Sequence, residues 1–272
     1  MSAPEKKEKG IKPLYSLLIL AAIYLMVQGI ALHVGLDFIP KIISGEIAPL
    51  VSEPESPQAS GQIFLYILVM TGVMLLLLKF KLGIMIKFFM FLAIFTGISL
   101  TLWSFFPRGW WIFTLLLYTL FLWKRKNTTL VNVVLILTIA GVGGYLGASL
   151  HFIPSLLLLL ALSVYDIIAV FGTKHMVTLA KGAPGKIPMF SFPVRNKFMS
   201  LGTGDLAMPA VFSVSILQDF SLNHSFFAIA GGLLGLTSLF LYILKREKVV
   251  LPALPPITLG LFLGFLLGWI IL

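Results

Sequence analysis

The chain has 272 residues, of which 59% are hydrophobic and 11% charged, and its mean hydropathy is +1.04. That composition excludes a soluble domain and marks an integral membrane protein, and the absence of cysteine excludes disulfides, thiol catalysis and thiolate metal sites. The net charge of +10 has a topological origin, shown below, and implies no nucleic-acid partner.

Backbone amides in lipid must be paired within the chain, so long apolar runs without strict alternation predict helices and an all-α fold rather than a barrel. A span needs about 20 apolar residues. Residues 1–13 form a basic tail expected in the cytoplasm, and 14–272 read as one nine-helix membrane domain. The first span, 14–34, lacks a small-residue cleavage pattern and reads as a retained helix. The stretch from Gly35 to Gln62, rich in Ser, Pro and Glu, reads as an external loop. Spans follow at 63–78, 84–106 and 110–123, the last short and bounded by Trp110, Trp111 and Trp123 as interfacial anchors. The second half adds 130–149, 155–172, 199–218, 226–244 and 255–272.

Lysine and arginine collect in cytoplasmic loops. With these nine spans, 18 of the 20 basic residues fall on one side, leaving Lys41 and Arg108 opposite. The expected orientation therefore has a cytoplasmic N-terminus and an external C-terminus. Lys87 is expected to snorkel to the cytoplasmic interface. Two small-residue ridges, Gly143, Gly144, Gly147 and Ala148 on the fifth span and Gly260, Gly264 and Gly268 on the ninth, are expected to pack helices. Asp219 and His224 flank an external turn and read as solvated.

Two acids, Asp166 and Asp205, stand inside long apolar stretches, where an ionisable group is expensive and usually functional. Asp166 precedes Lys174 by eight residues and Asp205 follows Lys197 by eight, so continuous helix would set both about 12 Å inside one membrane face. Two carboxyls within reach share a proton, and one can draw a proton from water while the other serves the scissile carbonyl. Matching depth alone also allows polar glue between helices, or proton relay in a transporter. In Gly202-Thr203-Gly204-Asp205 the glycines remove bulk beside the acid, so that peptide and water can approach. The run Pro252-Ala253-Leu254-Pro255-Pro256 opens the ninth span on the same face, and its prolines block regular helix there.

Tyr165-Asp166, Gly202-Thr203-Gly204-Asp205 and Pro252-Ala253-Leu254, in this order on a nine-helix frame, resemble the YD, GxGD and PAL motifs of the presenilin and signal peptide peptidase family. The compact chain looks closest to the archaeal presenilin homologues. The resemblance implies an intramembrane aspartyl endopeptidase with Asp166 and Asp205 as catalytic dyad, no cofactor and no metal. It also implies that Pro252, Ala253 and Leu254 shape the site and help seat the substrate. Tyr165, Gly202, Thr203 and Gly204 join them as candidate substrate-binding residues, with Tyr165 equally able to fill space.

The cytoplasmic N-terminus sides with presenilins rather than with the inverted signal peptide peptidases. The implied partners are the bilayer and single-span substrates with an external N-terminus. Thr203 stands where Leu is common in the family, which bears on substrate preference. The short connection from Lys174 to Lys197 lacks the long acidic insert of animal presenilins, so neither autoproteolytic activation nor accessory subunits are implied; a homo-oligomer is left open. That connection and the Pro252 segment could receive an unwound substrate by strand addition. The rival from another class is a proton-coupled transporter or cation leak using the same acids, against which stands the absence of inverted halves. The prepilin peptidases share GxGD but do not account for the Pro252 segment. The four histidines lie on different segments and form no His-Glu-x-x-His, and no Gly-x-Ser-Gly site occurs.

Overall fold

The computed structural model describes residues 13–51, 53–124, 127–173, 190–194, 197–245 and 251–272. Among them lie nine α-helices: α1 (Pro13–Ile43), α2 (Pro57–Lys79), α3 (Gly83–Phe105), α4 (Trp110–Trp123), α5 (Thr128–Ala148), α6 (Phe152–Ile167), α7 (Gly204–Asp219), α8 (Leu222–Lys245) and α9 (Leu254–Ile271). A π-helical turn, Ile168–Thr173, continues α6, and an antiparallel hairpin, β1 (Phe190–Val194) with β2 (Lys197–Leu201), precedes α7. Among the described residues seven helices, α6 taken together with its π-helical continuation to Phe171, are long and apolar enough to cross a membrane; α4 and α7 are shorter. The chain is thus an integral membrane protein of all-helical class, to which the hairpin is a small addition.

Lipid tails are as apolar as leucine, so helices associate here through close packing and interhelical hydrogen bonds. The glycine ridges serve that packing. A Cβ on Gly143 or Gly147 would strike α7 at Ala210 or Val211, and one on Gly144 would strike Ala31 and Val34 of α1. Gly260 and Gly264 lie against Gly231 and Phe227 of α8 at backbone contact, where no side chain fits. Hydroxyls add ties between helices: Thr101 Oγ1 donates to Leu137 O at 2.6 Å, Ser225 Oγ to Ser213 O at 2.9 Å and Tyr24 OH to Ile229 O at 3.3 Å. The main core draws on α1, α5, α6, α7, α8 and α9, with Tyr24, Phe38, Phe212 and Phe240 wholly buried. A satellite cluster of Ile94, Ile98, Phe121 and Val134 joins α3, α4 and α5 at the periphery.

Four expectations about the helices are corrected. Helix α1 runs on to Ile43 instead of stopping near residue 34, because Asp37 and Lys41 pair at 2.7 Å along one helix face and Phe38 is buried against Trp103 and Tyr145. Helix α2 begins at Pro57, where the Ser56 side chain accepts the Gln58 N–H at 3.2 Å and proline occupies the first turn. The loop between them is therefore shorter than Gly35 to Gln62. Helix α7 begins at Gly204, not 199, because residues 197–201 pair as strand with 190–194. Two prolines of the Pro252 segment, Pro255 and Pro256, are accommodated inside the first turn of α9, where the missing N–H groups would be unpaired anyway. The tail and most of the Lys174 to Lys197 connection lie outside the described residues.

Asp219 is not simply solvated: its side chain is 21% exposed and accepts the Phe152 N–H and the His151 Nδ1–H, each at 2.6 Å. His224 is also engaged locally, its Nδ1 lying 2.7 Å from Ser221 Oγ.

Candidate active site

Asp166 lies in the last turn of α6 and is 7% exposed. Its Oδ2 accepts the Leu254 N–H at 3.2 Å, tying it to a residue 88 positions away at the start of α9. That amide is free to bind the acid because it stands at a helix N-terminus, where the first donors have no partner within the helix. Farther along the same seam, Ser163 and Thr258 join their hydroxyls at 2.7 Å, both buried. The α6–α9 seam is thus zipped by a carboxylate–amide pair and a hydroxyl pair, and beside it opens an apolar groove of about 310 Å³ lined by residues including Leu160, Val164, Ile167 and Pro255. Immediately beyond Asp166 the α-helix gives way to the π-turn, a distortion often found at functional sites.

Asp205 sits in the first turn of α7, half-buried, and its Oδ2 accepts the Gly202 N–H at 3.2 Å. The expected eight-residue helical approach from Lys197 is replaced by strand, a bend and the helix start. The two glycines of the motif differ in role. A Cβ on Gly202 would stand 2.9 Å from the Asp205 carboxylate, whereas Gly204 faces open space. Thr203 occupies the N-cap position but makes no side-chain cap.

Helices α6 and α7 pack against each other, and α9 packs against both. The Asp205 carboxyl lies within electrostatic reach of Asp166. The fold therefore assembles Asp166, Asp205 and the Pro252 segment at one end of the bundle, with Ala253 and Leu254 buried and Pro252 partly so. Tyr165 is half-buried and its ring meets Phe64 of α2 edge-on, centroids 6.3 Å apart. That contact belongs to the α2–α6 packing. Backbone amides at the start of the Pro252 segment, Leu254 and Ala253, hold the Asp166 carboxyl, and the Gly202 amide holds that of Asp205. Among the described residues no cluster of His, Asp or Glu could hold a metal ion.

A family model described as signal-peptide peptidase, presenilin aspartyl protease matches residues 21–197. The chain belongs to this family. Its matched range takes in Tyr165 and Asp166 and ends before Gly202–Asp205 and Pro252–Leu254. Signal peptide peptidases of Homo sapiens and Mus musculus are each 34% identical over 120 residues, covering 38% of this chain and 32% of theirs. A probable intramembrane protease of Schizosaccharomyces pombe is 38% identical over 120 residues, covering 37% of this chain and 40% of its own length. The match thus spans about a third of the curated relatives. Solved structures agree over far more of the chain. Two crystal forms of a presenilin family intramembrane aspartate protease cover 94% of this chain and 99% and 98% of theirs, with TM-scores of 0.69 and 0.68 at 26% and 29% identity. Membership in the presenilin and signal peptide peptidase family, with this fold, gives the transporter and prepilin peptidase alternatives no support.

Sequence reasoning missed the Ser163–Thr258 pair and the difference between Gly202 and Gly204. Two hydroxyls about two turns apart on α6, Ser155 and Ser163 before Asp166, are the trace the pairing leaves in the sequence; the partners on other helices leave none.

Proposed function

We propose that this protein is an intramembrane aspartyl endopeptidase in which Asp166 and Asp205 jointly activate one water against a peptide bond. The observation that carries the proposal is that two acids stand on helices packed against each other, α6 and α7, each steadied by a backbone amide from a different segment, Leu254 and Gly202. With one carboxyl ionised and the other protonated, the ionised one takes a proton from water as its oxygen attacks the carbonyl carbon. The protonated partner gives its proton to the carbonyl oxygen. Collapse of the resulting diol breaks the C–N bond, and a carboxyl delivers a proton to the departing amine.

A helical substrate screens its carbonyls with its own hydrogen bonds, so a stretch must first unwind, and its freed amides need partners in lipid. The hairpin supports this step. Its strand β2 ends at Leu201, directly before Gly202, so a strand added along it would be led past Asp205. Leu201 and its cross-strand partner Phe190 are buried and anchor the hairpin at that end. Pro252, Ala253 and Leu254 would hold Asp166 in place through the Leu254 amide while bordering the substrate, and Thr203 and Gly204 would border the open side of Asp205.

The substrates we infer are single-span proteins with an external N-terminus, cut near the cytoplasmic face without accessory subunits, in a protein whose own N-terminus is cytoplasmic. The trial is cleavage of a single-span substrate in liposomes by the wild type, Asp166→Ala and Asp205→Ala. Both variants should lose turnover and labelling by a hydroxyl transition-state inhibitor of aspartyl proteases. Turnover retained by either variant overturns the assignment, and protease protection of a tag at the N-terminus checks orientation separately.

A further inference from the structure

The helices that carry Asp166 and Asp205 are fastened to each other at their opposite ends. His151 occupies the N-cap position of α6 without capping it through its side chain. The cap comes from the end of α7, where Asp219 takes the Phe152 N–H on Oδ2 and the His151 ring on Oδ1, each at 2.6 Å. A helix N-terminus presents unpaired donors and a positive dipole end, so a carboxylate is well matched to it. An ionised carboxylate only accepts, so the His151 Nδ1 carries the proton of that contact. One turn farther in, Ser155 and Ser215 share a buried hydrogen bond between their hydroxyls.

Chain position makes these contacts informative. Phe152 precedes Asp166 by fourteen residues, and Asp219 follows Asp205 by fourteen. At about 1.5 Å per residue, both helices run about 21 Å from the clamp to the acid. Ser155 lies eleven residues before Asp166 and Ser215 ten after Asp205, within one residue of that register. At about 100° per residue, eleven positions return a side chain to within about 20° of its starting direction and fourteen to within about 40°, so the clamped face of α6 is the face of Asp166. A slip of one residue would shift an acid by about 1.5 Å and turn it by about 100°.

We propose that Asp219, backed by the Ser155–Ser215 bond, is a positioning residue that sets the antiparallel register of α6 and α7 and so levels the two acids from the far side of the membrane. This rests on the dyad mechanism proposed above, and Asp166→Ala is run beside every variant. If Asp166→Ala turns over substrate, the mechanism fails, and that outcome is separate from the clamp.

Asp219→Ala leaves the Phe152 amide without its acceptor, whereas Asp219→Asn keeps an oxygen for it. A misplacement of about 1 Å can cost up to about 100-fold in rate. We therefore expect Asp219→Ala to lower kcat per folded molecule about tenfold with KM changed less than about twofold, and Asp219→Asn to stay within about threefold of wild type. The chain has no cysteine of its own, so Ser155→Cys with Ser215→Cys in the Asp219→Ala background can rebuild the register as a disulfide. Oxidation should restore kcat to within about threefold of wild type, and reduction should remove the gain. An unchanged kcat in folded Asp219→Ala, with only a lower melting temperature, assigns Asp219 a purely structural role and overturns the proposal. If Asp219→Ala does not fold, the disulfide-bearing variant decides: equal kcat before and after reduction, in protein that stays folded, likewise overturns it.

Discussion

The Ser163–Thr258 pair offers the most quantitative test of the α6–α9 seam. Both hydroxyls are buried, at 7% and 4% exposure, and each is the other's partner across the helices at 2.7 Å. Ser163→Ala strands the Thr258 hydroxyl, and Thr258→Val strands that of Ser163, an uncompensated burial worth about 1–3 kcal/mol. Either stranded hydroxyl can turn back to a carbonyl one turn earlier in its own helix, as Thr138, Thr237 and Ser213 already do. This escape pulls each single loss toward about 1 kcal/mol. Interhelical hydrogen bonds in membrane proteins couple by about 0.6 kcal/mol on average and at most about 1.7.

The double variant should therefore lose less than the sum of the singles by about 0.6 kcal/mol. Reversible unfolding in mixed micelles supplies the four stabilities, and cleavage of a single-span substrate supplies the rates. Because Leu254 N–H reaches Asp166 on the same seam, the double variant should also be slower than its stability loss explains. Strictly additive stabilities, with a coupling indistinguishable from zero, would contradict the hydrogen bond and the zipped seam.

Gly202→Ala should reduce turnover about tenfold or more, because its Cβ would stand 2.9 Å from the Asp205 carboxylate and force it off the Gly202 amide. Gly204→Ala, facing open space at a helix start, should fold at least as well as wild type; a fall in melting temperature equal to that of Gly202→Ala would refute the distinction. Gly260→Ala and Gly231→Ala should each destabilise by about 1–3 kcal/mol, since backbone contact leaves no room for a methyl group; unchanged unfolding midpoints in either would contradict the α8–α9 geometry. Tyr24→Phe should cost about 1 kcal/mol through the lost bond to Ile229 O, with turnover unaffected once corrected for folded fraction.

Helix number and most boundaries were legible because uninterrupted apolar length is what lipid demands of a span; α4 runs from Trp110 to Trp123 as the flanking tryptophans indicated. The exceptions have local causes. Asp37 and Lys41 break the hydropathy of α1 but neutralise each other within the helix, a pairing that average hydropathy does not register. Ser56-Pro57 is a readable helix start, obscured by the polar residues around it. The hairpin was hidden because Phe198 to Leu201 continue an apolar run into α7, and strand or helix in so short a run is decided by the partner strand. Within the candidate site, Asp166, Asp205 and the Pro252 segment could be found from cost and position alone. Their fastenings could not: Leu254 with Asp166, Ser163 with Thr258 and Asp219 with Phe152 join residues 67 to 95 positions apart.

The π-turn at Ile168–Thr173 stands between Asp166 and the connection that follows. Among the described residues, the Asp219 cap, the Ser155 and Ser163 hydroxyl bonds and the Leu254 amide all reach α6 at or before the acid. The looser coil after it is left to absorb differences in length or pull arriving from the connection that follows. A connection of another length or route could then join the same turn while the two acids upstream stay in register.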